Sequence, residues 1–295
     1  MNWTVDEEYD GFLLRDYLLQ VRGFSRRILK GIKFDGGQLL VNGEDSRVRR
    51  VLQVGDKVEV LFPPEKKGSF MNPELIQLDI VYEDDDVLVV NKPPGMATIP
   101  SFNHGSGTLA NGILGYYQTK QIPYTIHIVT RLDKDTSGLV LVAKHRFSHS
   151  ILSKDQKLGK VNRSYFAIIE GQMVDKEGTI EEPIARKPDS IIERMVHENG
   201  QRAVTHYRVK EKVGPFSLMD IKLETGRTHQ IRVHFSYLDH PLVGDSLYGG
   251  STTYMERQAL HCQSLAFTQP LTNQRLSFTC EIPEDMKGLL CVGEK

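Results

Sequence analysis

The stretch best equipped for chemistry is Thr130-Arg131-Leu132-Asp133-Lys134-Asp135-Thr136-Ser137-Gly138, which runs into the apolar segment Leu139-Val140-Leu141-Val142-Ala143. Asp, Thr, Ser and Gly are turn formers whose side chains hydrogen-bond nearby backbone. One reading is therefore structural, a loop closed by those bonds. The other is chemical: Thr136 and Ser137 stiffen the loop, Arg131 favours the ionised form of a carboxylate, and that carboxylate serves as nucleophile or general base. A second polar segment, Glu224-Thr225-Gly226-Arg227-Thr228-His229-Gln230-Ile231-Arg232-Val233-His234-Phe235, enters a helical pattern with Ile231, Phe235 and Leu238 on one face. Arg227, Thr228 and the free N–H groups of a helix start suit an anion, either a phosphate or a carboxylate of the protein itself. His229 and His234 do not share a helix face as a metal-binding pair would, which points to hydrogen-bonded structural roles.

Other spacings carry less. Asp133-Lys134-Asp135 has the form of the metal-binding carboxylate pair in some glycosyl transferases, a reading under which a chelator abolishes function. Glu83-Asp84-Asp85-Asp86 lies between Ile80-Val81-Tyr82 and Val87-Leu88-Val89-Val90, and reads as a solvated hairpin turn. Gly107-Thr108-Leu109-Ala110-Asn111-Gly112 has the glycine spacing of a phosphate loop without the Lys-Ser/Thr that must follow, so nucleoside triphosphate chemistry is not expected.

The elements that position these residues fall into two groups. In the first, Leu13, Leu14, Tyr17, Leu18 and Val21 recur at helical spacing and Gly23 suits a helix end. Ser25 then caps a second helix carrying Arg26, Arg27, Lys30 and Lys33 around Ile28, Leu29 and Ile32. A strand follows, turning at Asn42-Gly43, and residues 54–61 alternate as a closing strand. Pro63-Pro64-Glu65-Lys66-Lys67-Gly68-Ser69 has linker composition, giving a small unit over 1–62, a linker over 63–72 and a larger unit over 73–295. In the larger unit, strand patterns at 87–90, 139–143, 165–169, 204–209, 217–223 and 276–280 outnumber helical ones. No Gly-rich nucleotide fingerprint or regular strand–helix alternation is present, which favours an α+β fold with a mixed, mainly antiparallel sheet.

Composition agrees. The 295 residues are 39% hydrophobic and 25% charged, the mixture of a soluble folded protein of about two domains. No run approaches the ~18 apolar residues of a membrane span, and the acidic start lacks a signal-peptide pattern. Cys262, Cys280 and Cys291 fit neither a disulfide framework nor a zinc site, so a reducing cytoplasm is expected. Net charge is −1, yet twelve basic against seven acidic residues between Gly11 and Phe70 leave +5 there. A basic module of this kind can meet nucleic-acid phosphates without reading sequence.

Taken together, the segments resemble the RNA pseudouridine synthases of the RluA/RluD type. Arg131 to Gly138 matches that family's Arg-Leu-Asp-x-x-Thr-Ser-Gly motif, Val90-Asn91-Lys92-Pro93-Pro94-Gly95 its Asn-Lys-Pro-x-Gly segment, and Arg163-Ser164-Tyr165-Phe166-Ala167 its Arg-x-Tyr-x-Ala motif. Gly226 to His234 matches Gly-Arg-Thr-His-Gln-Ile-Arg-Val-His; His240 to Asp245 and Ala259 to Cys262 resemble two further segments. The small unit is similar to the alpha-L RNA-binding domain fused to many of these enzymes. Two positions depart from the pattern: Thr130 stands where a His commonly precedes the Arg-Leu-Asp, and Gln269-Pro270 replaces His-Pro.

The resemblance implies isomerisation of uridine in RNA, in which uracil is detached, turned and rejoined through C5, with no metal or organic cofactor. It implies Asp133 as the catalytic residue, with Tyr165 and Arg227 beside it: Arg227 pairing with Asp133, and Tyr165 stacking on the extruded base. Arg131, Thr136, His229, Asn91 and Lys92 are expected at the substrate, and Arg26, Arg27, Lys30 and Lys33 on RNA in the small unit. The expected partner is ribosomal RNA of the large subunit, with transfer RNA as an alternative and a monomer as the default. The competing class is a non-catalytic RNA-binding or ribosome-assembly factor on the same fold.

Overall fold

The computed structural model describes residues 1–65, 71–100 and 105–291. Strands β1 (Asn2–Thr4), β2 (Gln38–Val41), β3 (Glu44–Asp45) and β4 (Lys57–Leu61) form a four-stranded antiparallel sheet in the order β1-β4-β2-β3. Asn42 and Gly43 turn the chain with φ of 56° and 82°, the left-handed pair that an Asn-Gly hairpin supplies. Helix α1 (Leu14–Asp16) widens into a π turn over Tyr17–Val21, and Gly23 follows with φ 73°. Helix α2 (Arg26–Phe34) is capped by Ser25, whose Oγ accepts the N–H of Ile28 at 3.2 Å. It buries Ile28, Leu29 and Ile32 and leaves Arg26, Arg27, Lys30 and Lys33 exposed.

The larger unit is built on a ten-stranded sheet. Its members in chain order are β5 (Asp79–Glu83), β6 (Val87–Lys92), β7 (His127–Ile128), β8 (Ser137–Ala143), β9 (Asn162–Glu170) and β10 (Glu177–Glu181). After a separate hairpin of β11 (Ile184–Arg186) and β12 (Arg194–Val196) come β13 (Val204–Val213), β14 (Phe216–Leu223), β15 (Leu260–Thr268) and β16 (Arg275–Thr279). The order is β10-β13-β14-β9-β15-β8-β6-β5, with β16 on β15 and β7 on β8. All of its pairs are antiparallel except β15 with β8, where His261 faces Ser137 and Cys262 faces Gly138. Gly138 has φ 113°, and a Cβ there would lie 2.3 Å from the carbonyl oxygen of Cys262, so only glycine permits this approach.

The period-two alternation of β9 separates two apolar layers. Tyr165, Ala167 and Ile169 join the main core with Leu109, Ile113 and Tyr117 of helix α3 (Leu109–Thr119), Leu152 of α4 (Arg146–Lys157), and Ile231 and Phe235 of α5 (Gln230–Tyr237). Phe166 and Ile168 face the other way onto Met286 and Leu289 of α6 (Glu284–Leu290). The glycine-spaced segment at 107–112 starts α3, with Thr108 and Asn111 forming a capping box.

One expectation is corrected. The acidic run does make the β5–β6 turn, with Asp84 Oδ1 accepting the N–H groups of Asp86 and Val87 at 2.8 and 2.7 Å. It is not solvated throughout: Asp86 is 2% exposed and takes bonds from His145, Ser148 and Gln269. Burial raises its carboxyl pKa, but those bonds hold it below the ordinary value. Gln269, the departure from His-Pro, thus ties the turn after β15 to the turn after β5. The expected linker lies partly outside the described residues. Within it Glu65 is fixed on the larger unit, accepting from the N–H groups of Thr125 and Arg146 and pairing with His127 at 2.8 Å.

Candidate active site

Asp133 projects from the loop that enters β8, and the four successive carbonyls from Leu132 to Asp135 each have a donor. Thr98 Oγ1 donates to Leu132 O at 2.7 Å, Thr136 N–H to Asp133 O at 3.1 Å, Lys92 Nζ to Lys134 O at 3.0 Å, and Arg257 Nη1 to Asp135 O at 3.0 Å. Thr130, in the common histidine position, is fully buried and its Oγ1 accepts Leu141 N–H at 2.9 Å, closing the loop onto β8. Thr136 accepts from Gln258 at 3.2 Å and Ser137 bonds His261 at 2.9 Å. The loop is therefore rigid, as a reacting carboxylate requires, but the bracing comes from distant segments as much as from its own Thr and Ser.

The carboxylate partner differs from the expected one. Arg232 Nη1 lies 3.3 Å from Asp133 Oδ2, while Arg227 turns its Nε to the carbonyl of Arg202 at 2.9 Å. The two arginines share a motif, but Arg227 lies in the exposed turn ahead of α5, whereas Arg232 is on the inward side of the first helical turn and 6% exposed. Arg232 also meets both oxygens of Asp245, at 2.7 and 2.8 Å, and lies over the Tyr248 ring with Cζ 4.9 Å from its centroid. His229 takes a left-handed backbone, φ 58°, which brings its Nε2 to 3.8 Å from Asp133 Oδ2 and its Nδ1 to 2.8 Å from Tyr248 Oη. Tyr248 Oη also accepts Arg194 N–H at 2.9 Å, so the ring that braces His229 is itself held. Burial lowers the His229 pKa, partly opposed by Asp133, so the ring stays neutral near pH 7. His234 is structural, bonded to Thr205 Oγ1 and Glu182 O.

These groups line a slot of about 70 Å³ whose walls include Asp133, Tyr165, Arg163, Leu223, Arg227, Arg232 and Leu260. Tyr165 is 4% exposed, with the Arg163 guanidinium 5.9 Å from its ring centroid. Burial pushes its phenol well above the ordinary tyrosine pKa, against a smaller pull from Arg163, and keeps it protonated. The slot opens onto a cleft of about 570 Å³ that shares Arg131, Asp133, Arg163 and Arg227 and adds Ala97–Ile99, Lys134 and Gln156.

Of the other expected substrate residues, Arg131 is exposed on slot and cleft, and Thr136 lines the slot. Lys92 and Asn91 are corrected. Lys92 is fully buried, and its ammonium is consumed by the carbonyls of Pro93, Met96 and Lys134; burial draws its pKa down to about 7. Asn91 donates to Asp79 on the edge strand and lines neither slot nor cleft. Gln230, passed over in the sequence, locks the 225–230 turn: its oxygen accepts from Thr225 Oγ1 and Arg227 N–H and its amide donates to Val204 O. In the small unit Arg26, Lys30 and Lys33, with Arg15, line a groove of about 770 Å³, and Arg27 lies outside it.

An Arg–Asp pair in a narrow slot, opening on a basic cleft, agrees with what similar proteins are. The model of the RNA pseudouridylate synthase family matches residues 86–237. The uncharacterized RNA pseudouridine synthase YjbO of Bacillus subtilis (strain 168) is 52% identical over 91% of this chain and 95% of its own length. The ribosomal large subunit pseudouridine synthase D of Xanthomonas campestris pv. campestris is 36% identical over 90% and 84%. Among solved structures, human RNA Pseudouridylate Synthase Domain Containing 1 superposes with a TM-score of 0.59 at 27% identity, covering 72% of this chain and 86% of its own. No described helix is long and apolar enough to cross a membrane. By sequence and by fold, the chain belongs to the RNA pseudouridylate synthase family, isomerases that convert uridine in RNA to pseudouridine.

Proposed function

We propose that Asp133 is the catalytic carboxylate and that the substrate is a uridine of large-subunit ribosomal RNA, modified in the cytoplasm by a single chain. The observation that carries the first part is the Asp133 carboxylate 3.3 Å from Arg232 Nη1, beside the His229 ring and in the same slot as the Tyr165 ring. In the reaction the N1–C1′ bond breaks, uracil turns, a C5–C1′ bond forms, the C5 proton leaves and N1 gains one, so atoms balance without a co-reactant. Whether Asp133 attacks the sugar or deprotonates it, the Arg232 guanidinium 3.3 Å away orients its carboxylate. Tyr165 presents a ring face to the flipped base, and its buried phenol relays the C5 proton, taking it up while passing on its own.

Arg131, Arg163 and Arg227 surround the mouth of the slot and are placed to hold the flanking phosphates. The ribosomal assignment rests on the names of relatives such as the Xanthomonas enzyme. The exposed cations Arg26, Arg27, Lys30 and Lys33 make residues 1–62 a second, sequence-independent RNA contact, joined through 63–72 to the catalytic unit at 73–295.

The test is tritium release from 5-tritiated uridine in total ribosomal and transfer RNA of a strain lacking the gene, with Asp133→Asn alongside. Release from ribosomal RNA by the wild type alone is expected. Release by Asp133→Asn rejects the catalytic assignment, and release from transfer RNA only rejects the ribosomal one.

A further inference from the structure

The segment 241–250 lies outside the family-model match and behind the slot, yet it holds the one residue that decides where Arg232 points. Asp245 has a side chain 1% exposed and receives Arg232 Nε at 2.7 Å and Nη2 at 2.8 Å, a two-pronged carboxylate–guanidinium fit. In that grip the guanidinium lies with Nη1 towards Asp133, at the longer distance of 3.3 Å. Two carboxylates thus compete for one guanidinium, and the catalytic one has the weaker share.

The geometry of Asp245 is itself built in. Its N–H donates to Leu242 O and its carbonyl accepts from Gly250 N–H. A Cβ on Gly244 would lie 2.0 Å from Arg257 O, and one on Gly250 2.0 Å from Leu242 O, so the turn tolerates neither side chain. Three residues on, Tyr248 lies beneath the same guanidinium and bonds His229. The segment also passes its constraint to α5, where Ser236 Oγ donates to Tyr248 O at 2.8 Å.

We infer that Asp245 is a positioning residue: by gripping Nε and one N–H of Nη2, it fixes where the Arg232 guanidinium lies, so that Nη1 reaches Asp133 without closing a two-pronged pair and Asp133 lone pairs stay available to the ribose. A guanidinium fully engaged with Asp133 would occupy both oxygens and lower their reactivity. Arg232 is oriented by a third group in the way that a catalytic base commonly is. The inference rests on the reading of Asp133 as the catalytic carboxylate.

Asp245→Asn keeps the shape and removes the charge. Its crystal structure is expected to show both terminal nitrogens of Arg232 on Asp133. In the tritium-release assay kcat is expected to fall about 10- to 100-fold, the scale of a small misplacement at a reacting group, with KM for RNA within about twofold. A guanidinium that stays at position 245, or one that moves while kcat is unchanged, overturns the inference, as does a change confined to KM. Should Asp245→Asn fail to fold, Asp245→Glu, which displaces the charge by one methylene, is read by the same two measurements. Asp133→Asn is run in parallel. Activity in that variant rejects the catalytic reading of Asp133 itself, whereas an inactive Asp133→Asn beside a fully active Asp245→Asn rejects only the role of Asp245.

Discussion

The ring of Phe147, on helix α4 of the larger unit, lies 4.4 Å from the ring of Phe24 in the basic N-terminal unit. Phe147 is 1% exposed and belongs to the core around Leu14, Leu18 and Ile28, not to that of its own sheet. The small unit therefore does not close its core alone. Deleting residues 1–62 is expected to weaken RNA binding and its salt dependence, but it also strips the cover from Phe147. Reversing exposed charges is the cleaner experiment. Arg26→Glu with Lys30→Glu is expected to lower the salt slope of RNA binding by about 1–2, at somewhat under one per phosphate contact, with the thermal midpoint little changed. A filter-binding series across salt concentrations reads this directly, and an unchanged slope would mean that the face is merely solvated.

The two arginines of one motif are expected to separate kinetically. Arg232→Lys shortens the reach to Asp133 and cannot reproduce the guanidinium fork, so kcat should fall by at least about tenfold. Arg227→Ala, at the slot mouth, should act mainly on KM. Steady-state tritium release over a range of RNA concentrations distinguishes them, and reversed effects would return Arg227 to the role first expected of it.

Tyr165→Phe keeps the ring and loses the oxygen. Base binding and cleavage of the glycosidic bond are expected to survive while release of the C5 proton slows by about 100-fold or more. Single-turnover tritium release gives the number, and a normal rate would leave Tyr165 a stacking role only.

Lys92→Met removes a buried ammonium that serves three carbonyls. Each acceptor left without a donor costs about 1–3 kcal/mol, so a loss on the order of 3 kcal/mol or more in urea unfolding is expected. Because one of the three belongs to Lys134, kcat should drop along with stability. A stable variant with reduced RNA affinity would instead restore Lys92 to the substrate.

His261 offers a pH test. It is 2% exposed, and burial lowers its pKa from 6.5 to about 4. The folded value lies below the unfolded one, so between these limits the unfolded chain binds the extra proton and stability falls as the solution is acidified. At about 1.36 kcal/mol per pKa unit the contribution is roughly 3 kcal/mol. Urea midpoints between pH 7 and 4 should fall less steeply in His261→Gln than in the wild type. Parallel curves would show that His261 titrates alike in both states.

What could be read from the chain depended on whether a residue's role is local. The Asn42-Gly43 turn, the Ser25 cap and the β8 and β9 strands follow from neighbours in sequence, and the structure has them where their patterns lie. Asp133 and Tyr165 came from motifs, and the fold brings both to one slot. The choice between Arg227 and Arg232 was beyond reach, because it turns on the helical phase at which α5 starts after the left-handed His229. Lys92 reads as a substrate cation until its three carbonyl partners are seen, one of them on Lys134 across the fold. Asp86 looked solvated because its partners, His145, Ser148 and Gln269, come from far along the chain.

The position of β15 also orders events during synthesis. This strand pairs with β9 on one side, Cys262 opposite Tyr165, and runs parallel to β8 on the other, Cys262 opposite Gly138. Until residues 260–268 have left the ribosome and inserted, no strand pairing links the strand of Tyr165 to the strand that Asp133 leads into. The nascent chain can expose its basic N-terminal face early while its isomerase slot is still in two halves. A polypeptide that engages RNA through that face thus gains the means to modify it only once residues 260–268 are in place.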